Sequence, residues 1–204
     1  LEASSNHNTL HFPAGTYRLN TPTAASDSLS SWHQLLKLGD AELAGRDLFF
    51  TGETGAVLYS TVNSVRARML MVQAKFRSLT FRGLAWRKEA TALPETASEP
   101  NNAEAVWLRS HDLRRVEAVE FQDCTFDNCH GAVAAYGYGF DLRGRLANFS
   151  FLRCKVLNPY GSNTTNAHRA YGGGQQVRMN PWVGSAVYEG NLFDGGSDNP
   201  DPVY

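Results

Sequence analysis

Cysteine is scarce in this chain: Cys124, Cys129 and Cys154 are the three it has among 204 residues. A small odd number cannot build a disulfide framework, and without a Cys-x-x-Cys or His-Glu-x-x-His spacing they do not read as a zinc site. No apolar run approaches the ~18 residues that a membrane-spanning helix needs. An excess of one charge is missing too. Lys and Arg number 19 against 20 Asp and Glu, a formal net charge of -1, and there is no basic stripe of the kind nucleic acid demands. No charged n-region followed by an apolar h-region opens the chain, and residues 1–8 read as a leader or linker. Nothing divides the remainder, so residues 1–204 are expected to form a single domain.

What the chain has instead is short runs of aromatic and β-branched residues broken by Gly, Asn, Asp and Pro, which read as all-β. One spacing recurs. The apolar positions Val116, Val119, Phe121, Cys124 and Phe126 are matched 40 residues earlier by Phe76, Leu79, Phe81, Leu84 and Trp86. Offsets of 30 and then 37 give Leu146, Phe149, Phe151, Cys154 and Val156, then Val183, Ala186, Tyr188, Asn191 and Phe193. Steps of two mark a strand with one buried face. The step of three marks a one-residue kink that returns the next side chain to the interior. Each copy is therefore strand, bend, strand. The unequal offsets fit coils of ~22 residues carrying loops of different length.

A third strand follows the pair, at residues 105–109, 131–136 and 176–180. Parallel stacking of successive coils at ~4.8 Å buries equivalent positions against one another. Cys124 then lies over Cys154, and two thiols at one repeat position read as small buried hydrophobes in preference to a reactive pair.

The run Val119-x-Phe121-x-x-Cys124-x-Phe126, followed by Gly131-Ala132-Val133, resembles the coil repeat of the pectate-lyase-like right-handed parallel β-helix proteins. His11-Phe12-Pro13-Ala14-Gly15-Thr16-Tyr17-Arg18-Leu19 is similar to their first strand entry. Leu48-Phe49-Phe50-Thr51-Gly52 and Ala56-Val57-Leu58-Tyr59 are similar to their second coil. The resemblance spans roughly residues 9–195 and implies an all-β, single-stranded right-handed parallel β-helix with long loops. It names no reaction, since lyases, hydrolases, epimerases and phage tailspikes share the pattern. Catalytic members are usually longer, and a β-helix without a cap leaves a strand edge open. The expectation is therefore a chain incomplete at its C-terminal end, or an oligomer or second chain covering that end.

Residues 27–38 carry Trp32, Leu35 and Leu36 at helical spacing behind Ser30 or Ser31 as N-cap, which predicts one short N-terminal helix. Residues 88–103, with Pro94 and Pro100, and residues 158–174, with Gly161, Asn163 and Asn166, read as long excursions. The run Gly172-Gly173-Gly174 lacks the Gly-Lys-Ser/Thr that a phosphate cradle needs and reads as loop. Asn148-Phe149-Ser150 and Asn163-Thr164-Thr165 fit a glycosylation sequon, a weak signal, the first inside an expected strand.

In the enzymes this chain resembles, the groove lies over the strand that the long loops enter, here the third. With Val106 and Leu108 inward, Trp107 and Arg109 face it; with Val133 and Ala135 inward, Ala134 and Tyr136 do. With Val177 and Met179 inward, Gln176, Arg178 and Asn180 do. Arginine grips carboxylates through paired hydrogen bonds and aromatic faces stack on sugar rings, so this face suits an anionic sugar chain. It carries no Asp or Glu. Glycoside hydrolysis needs two carboxylates across the scissile bond, and Glu120, Asp123 and Glu189 fall on other strands or bends.

β-Elimination from a uronate needs instead a neutralised carboxylate, a base for the proton alpha to it and an acid for the leaving oxygen. Arg109, His130, Tyr136 and Arg178 are the catalytic candidates, the arginines for the carboxylate and a His or Tyr for the proton transfers. Trp107, His111, Tyr138, His168, Gln176 and Asn180 are the substrate-binding candidates. Each has a plain alternative: surface arginines are ordinary on such folds, His130 beside Gly131 suits a turn, and His168 falls in a loop. Calcium bridges enzyme and uronate in resembling lyases and is the one cofactor to consider. Asp123, Asp127, Asp194, Asp198 and Asp201 are nevertheless scattered rather than gathered into a ligand loop.

Two functions stay open. One is a secreted, periplasmic or cell-surface enzyme acting on an acidic polysaccharide, a lyase ahead of a hydrolase with its acids on loops. The other is a non-catalytic glycan-binding or structural module of the tailspike or adhesin kind. A polysaccharide, rather than nucleic acid or a membrane, is the expected partner of both.

Overall fold

The repeat becomes a stack of coils. The computed structural model describes residues 8–19, 33–39, 46–60, 67–73, 76–88, 104–110, 116–129, 131–137, 145–157, 177–179 and 182–194. Coil one holds β1 (Thr9–Phe12), β2 (Gly15–Arg18) and β3 (His33–Gly39); coil two holds β4 (Asp47–Gly52), β5 (Ala56–Ser60) and β6 (Ala67–Gln73). Coil three is β7 (Ser78–Arg82), β8 (Ala85–Lys88) and β9 (Glu104–Ser110). Coil four is β10 (Val116–Gln122), β11 (Thr125–Asp127) and β12 (Gly131–Gly137). Coil five is β13 (Arg145–Leu152), β14 (Lys155–Leu157) and β15 (Val177–Met179), and coil six adds β16 (Trp182–Glu189) and β17 (Leu192–Asp194).

First strands form sheet A, second strands sheet B and third strands sheet C, each in coil order. Every neighbouring pair is parallel. One strand per coil in each of three parallel sheets is a parallel β-helix. The register follows the sequence repeat: Val119 sits between Leu79 and Phe149, Phe121 between Phe81 and Phe151, and Phe126 between Trp86 and Val156.

These rows fill the interior. Phe50, Phe81, Phe121 and Phe151 are buried in one column, Phe81 lying on Phe121 with centroids 4.8 Å and planes 13° apart. Trp86 stacks on Phe126 in the next column at 6.4 Å. Such ring pairs add to the burial of large apolar surface. Against this, the buried Trp86 Nε1 has no hydrogen-bond partner among the described residues, a cost of about 1–3 kcal/mol. In the last coil Tyr188 is 51% exposed, and Leu192 and Phe193 are also open to solvent.

The step of three is one left-handed residue. Gly83, Asp123, Arg153 and Gly190 have φ of 69°, 53°, 49° and 63° at the bend from sheet A to sheet B. Glycine takes this conformation without steric cost, and Asp tolerates it. Arg153 does neither, but its guanidinium reaches down to Asp123, with Nε to Oδ1 at 2.8 Å and Nη2 to Oδ2 at 3.0 Å. Coils one and two are the exceptions. Leu10 and Gly15, the partners of Phe50 and Ala56, are joined by a longer turn than the one-residue bend, and the turn from Gly52 to Gly55 is wider still, so neither coil keeps the five-point spacing.

Leu84, Cys124 and Cys154 line the inside of the bend, all buried, and both thiols are free. Burial pushes the Cys124 thiol well up and the Cys129 thiol to about 12. They pack as small apolar side chains.

Residues 33–39 form β3, not the helix expected over 27–38. Leu36 and Leu38 pair with Leu70 and Val72 of β6. Pairing with the next coil overrides helical spacing, because a short apolar run such as Leu35-Leu36 fixes neither period. Trp32, Ser30 and Ser31 lie outside the described residues. Among the described residues there is no helix long and apolar enough to cross a membrane.

Candidate functional site

Sheet C receives the longest connections. Residues 89–103 join β8 to β9 and residues 158–176 join β14 to β15; Lys88, expected at the start of the first excursion, is the buried last residue of β8. Val106, Leu108 and Val133 of sheet C are buried in the core. Positions of opposite parity therefore share the outer side of the sheet. Tyr136 pairs with Arg109, and Ala134 pairs with Trp107 on one side and Arg178 on the other. Position 109 is thus one strand spacing, ~4.8 Å, from position 136. Position 178 lies one strand further on, at the level of Ala134.

Positions 109, 136 and 178, three of the four expected catalytic ones, therefore share one parity of one sheet across three successive coils. Trp107 shares their parity but is only 6% exposed, and Met69 and Ala105 beside it are buried too. An open aromatic platform at Trp107 is not what the structure presents. His111, His130, Tyr138, His168, Gln176 and Asn180 lie outside the described residues.

The acidic groups have other engagements. Arg77 holds the Asp47 carboxylate through two hydrogen bonds and Ser78 Oγ adds a third at 2.6 Å. The Arg77 hydrogen bonds, with that of Ser78, bring the Asp47 carboxyl down to about 2. Hydrogen bonding from Arg153 likewise lowers Asp123. Arg87 Nε donates to Asp127 Oδ2 at 2.8 Å, and Arg82 lies 3.9 Å from Glu120. All four pairs run between adjacent coils on the outside of sheets A and B. No group of three His, Cys, Asp or Glu side chains is gathered for a metal ion among the described residues.

Two surface groupings were not anticipated. At the N-terminal end His11 Nδ1 meets Thr51 Oγ1 at 2.9 Å and its Nε2 lies 3.6 Å from Glu53, whose carboxyl is lowered by the Ala14 N–H and by His11. On sheet B, Arg18 pairs with Tyr59, Tyr59 with Arg87 and Arg87 with Asp127, a continuous outward row. The second was within reach of the sequence: each residue follows an inward one, Tyr17, Leu58, Trp86 and Phe126. No protein-family model, curated protein or solved structure matches the chain, so the parallel β-helix stands on its sheet topology.

Proposed function

We propose that this is a carbohydrate-active β-helix of the pectate-lyase-like kind that lays an acidic polysaccharide across the outer side of sheet C and cleaves it by β-elimination. The observation that carries the reading is the pairing of Arg109 with Tyr136, with Arg178 on the adjoining strand at the level of Ala134. In this reading the arginines neutralise the uronate carboxylate, which acidifies the proton on the neighbouring carbon. A base removes that proton, the carbon–oxygen bond to the leaving sugar breaks, and a carbon–carbon double bond forms. The departing oxygen takes a proton. In this reading Tyr136 serves one proton transfer, and His130, the residue before β12, is the second candidate.

The long connections into sheet C support a walled groove, and the pairing of Asp47, Asp123 and Asp127 with arginines elsewhere argues against a hydrolytic acid pair among them. A polymer substrate of this kind places the protein outside the cell, at its surface or in a periplasm.

The test is incubation with pectin, alginate, chondroitin and heparin-type polymers, with and without calcium. Ultraviolet absorbance of the unsaturated product and reducing ends are followed together. Rising absorbance, lost by roughly 10²-fold or more in Arg109→Gln, is the expected result. Reducing ends without absorbance mean hydrolysis. Silence in both assays from folded protein turns the reading towards a binding module.

A further inference from the structure

We propose a second contact for a glycan chain bearing carboxylates or sulfates, along the outer face of sheet B, made by Arg18, Tyr59 and Arg87. It rests on the reading that the ligand is an acidic polysaccharide, and it places an anchoring strip on a different face from the reaction.

The three residues stand in register on β2, β5 and β8, one per coil. Their inward neighbours Leu58 and Trp86 are buried in the core, which fixes this row on the outside. Arg18 and Arg87 are exposed and Tyr59 is half-buried between them. Among the described residues neither the Arg18 guanidinium nor the Tyr59 hydroxyl has a hydrogen-bond or ionic partner. Arg87 uses Nε on Asp127 Oδ2, which orients the guanidinium and leaves its two terminal nitrogens to a ligand. Arg18 and Arg87 are two strand spacings apart, about 10 Å. That separation suits charges recurring along a polymer, not one small anion.

Beside this ridge runs a row of short side chains, Thr16, Val57, Ala85 and Thr125, in the same register. A low floor flanked by two guanidiniums and a phenol offers an extended sugar chain ring contact and paired hydrogen bonds to its acidic groups. Two arginines, one already shared with Asp127, are too little charge for a nucleic-acid backbone. An acidic glycan, which offers ring faces to Tyr59 as well as anionic groups to the arginines, fits better.

The test compares the unmodified protein with two double variants, Arg18→Gln with Tyr59→Leu and Arg109→Gln with Arg178→Gln. Retention in gels containing polygalacturonate, alginate, chondroitin sulfate or heparin is measured at low salt, with dextran as the neutral control. The expected result is retention by at least one acidic polymer that weakens roughly three- to tenfold in the sheet B variant. Part of that retention should survive in the sheet C variant. Retention unchanged in the sheet B variant overturns this proposal and leaves the sheet C reading standing. Loss confined to the sheet B variant upholds the strip and counts against sheet C. No retention of the unmodified protein by any acidic polymer overturns both.

Discussion

Asn191 closes the bend above Cys154 with its side chain: Oδ1 accepts from the Cys154 N–H at 2.8 Å and Nδ2 donates to the Phe151 carbonyl at 2.7 Å. Leu84, Cys124 and Cys154 hold the equivalent place in coils three to five. Asn191→Ala should leave both main-chain groups without these bonds and lower stability by about 1–3 kcal/mol. Chemical denaturation reads this directly. A variant with the midpoint of the parent would mean that water replaces the amide at no cost.

Gly83 is expected to resist any side chain. Its φ is 69°, and a methyl group built on it lies 2.6 Å from the carbonyl oxygen of Gly52 in the coil below. Gly83→Ala combines left-handed strain with a clash against main chain, and should cost more than the ~1 kcal/mol that strain alone brings. Thermal unfolding of this variant beside Gly190→Ala, where a left-handed methyl group meets the Arg153 side chain at 3.2 Å and no main-chain oxygen, separates the two effects.

Stability should also depend on acid in a defined window. Asp47 titrates at about 2 when folded, against an ordinary 3.8, because Arg77 and Ser78 hydrogen-bond its charged form. The stabilisation is complete above the unfolded value and fades as pH falls from about 4 towards 2. With Arg77 half-exposed, solvent screening limits it to about 1 kcal/mol. Urea midpoints measured across this range should fall less steeply for Asp47→Asn than for the parent, and parallel slopes would exclude the ion pair as a contributor.

The three cysteines should be silent towards a thiol reagent in native buffer. Cys124, Cys129 and Cys154 are all buried; burial pushes the Cys124 thiol up and the Cys129 thiol to about 12, and Cys154, lowered by its hydrogen bond with Cys124, is shut off from reagent by the packing around it. Labelling should appear only with unfolding, at three thiols per chain. Fast labelling of the folded protein would contradict the packing of the bend.

Four coils were legible in the sequence because their bends are one residue long, which keeps Phe121, Cys124 and Phe126 at a fixed spacing from coil to coil. The first two were harder to read. The wide turn from Gly52 to Gly55 breaks the spacing between Phe50 and Leu58, and β6 was missed because Met69, on the opposite parity from Leu70, is buried as well, so alternation is blurred. β3 failed for a related reason, its adjacent leucines suiting helix and strand alike until pairing with β6 decides. Of the site, the inward positions 106, 108 and 133 were readable from alternation; the register that brings 109 to 136 and 134 to 107 and 178 was not. The burial of Trp107 was not, because alternation gives the side of a sheet and says nothing about what lies over it.

The unequal spacing of the coils has a consequence for how this scaffold can be re-engineered. Lengthening the segment between β14 and β15 leaves Val156 opposite Phe193, since the register of β14 with β17 is set by the packing of the two strands and not by the length of that segment. Closing a loop of twice the length costs only about 0.6 kcal/mol more. One residue added between Phe121 and Cys124 would instead turn Phe126 from the core to solvent. Whole peptides can thus be grafted where the chain approaches sheet C, while the one-residue bends between sheets A and B in coils three to six leave no such room.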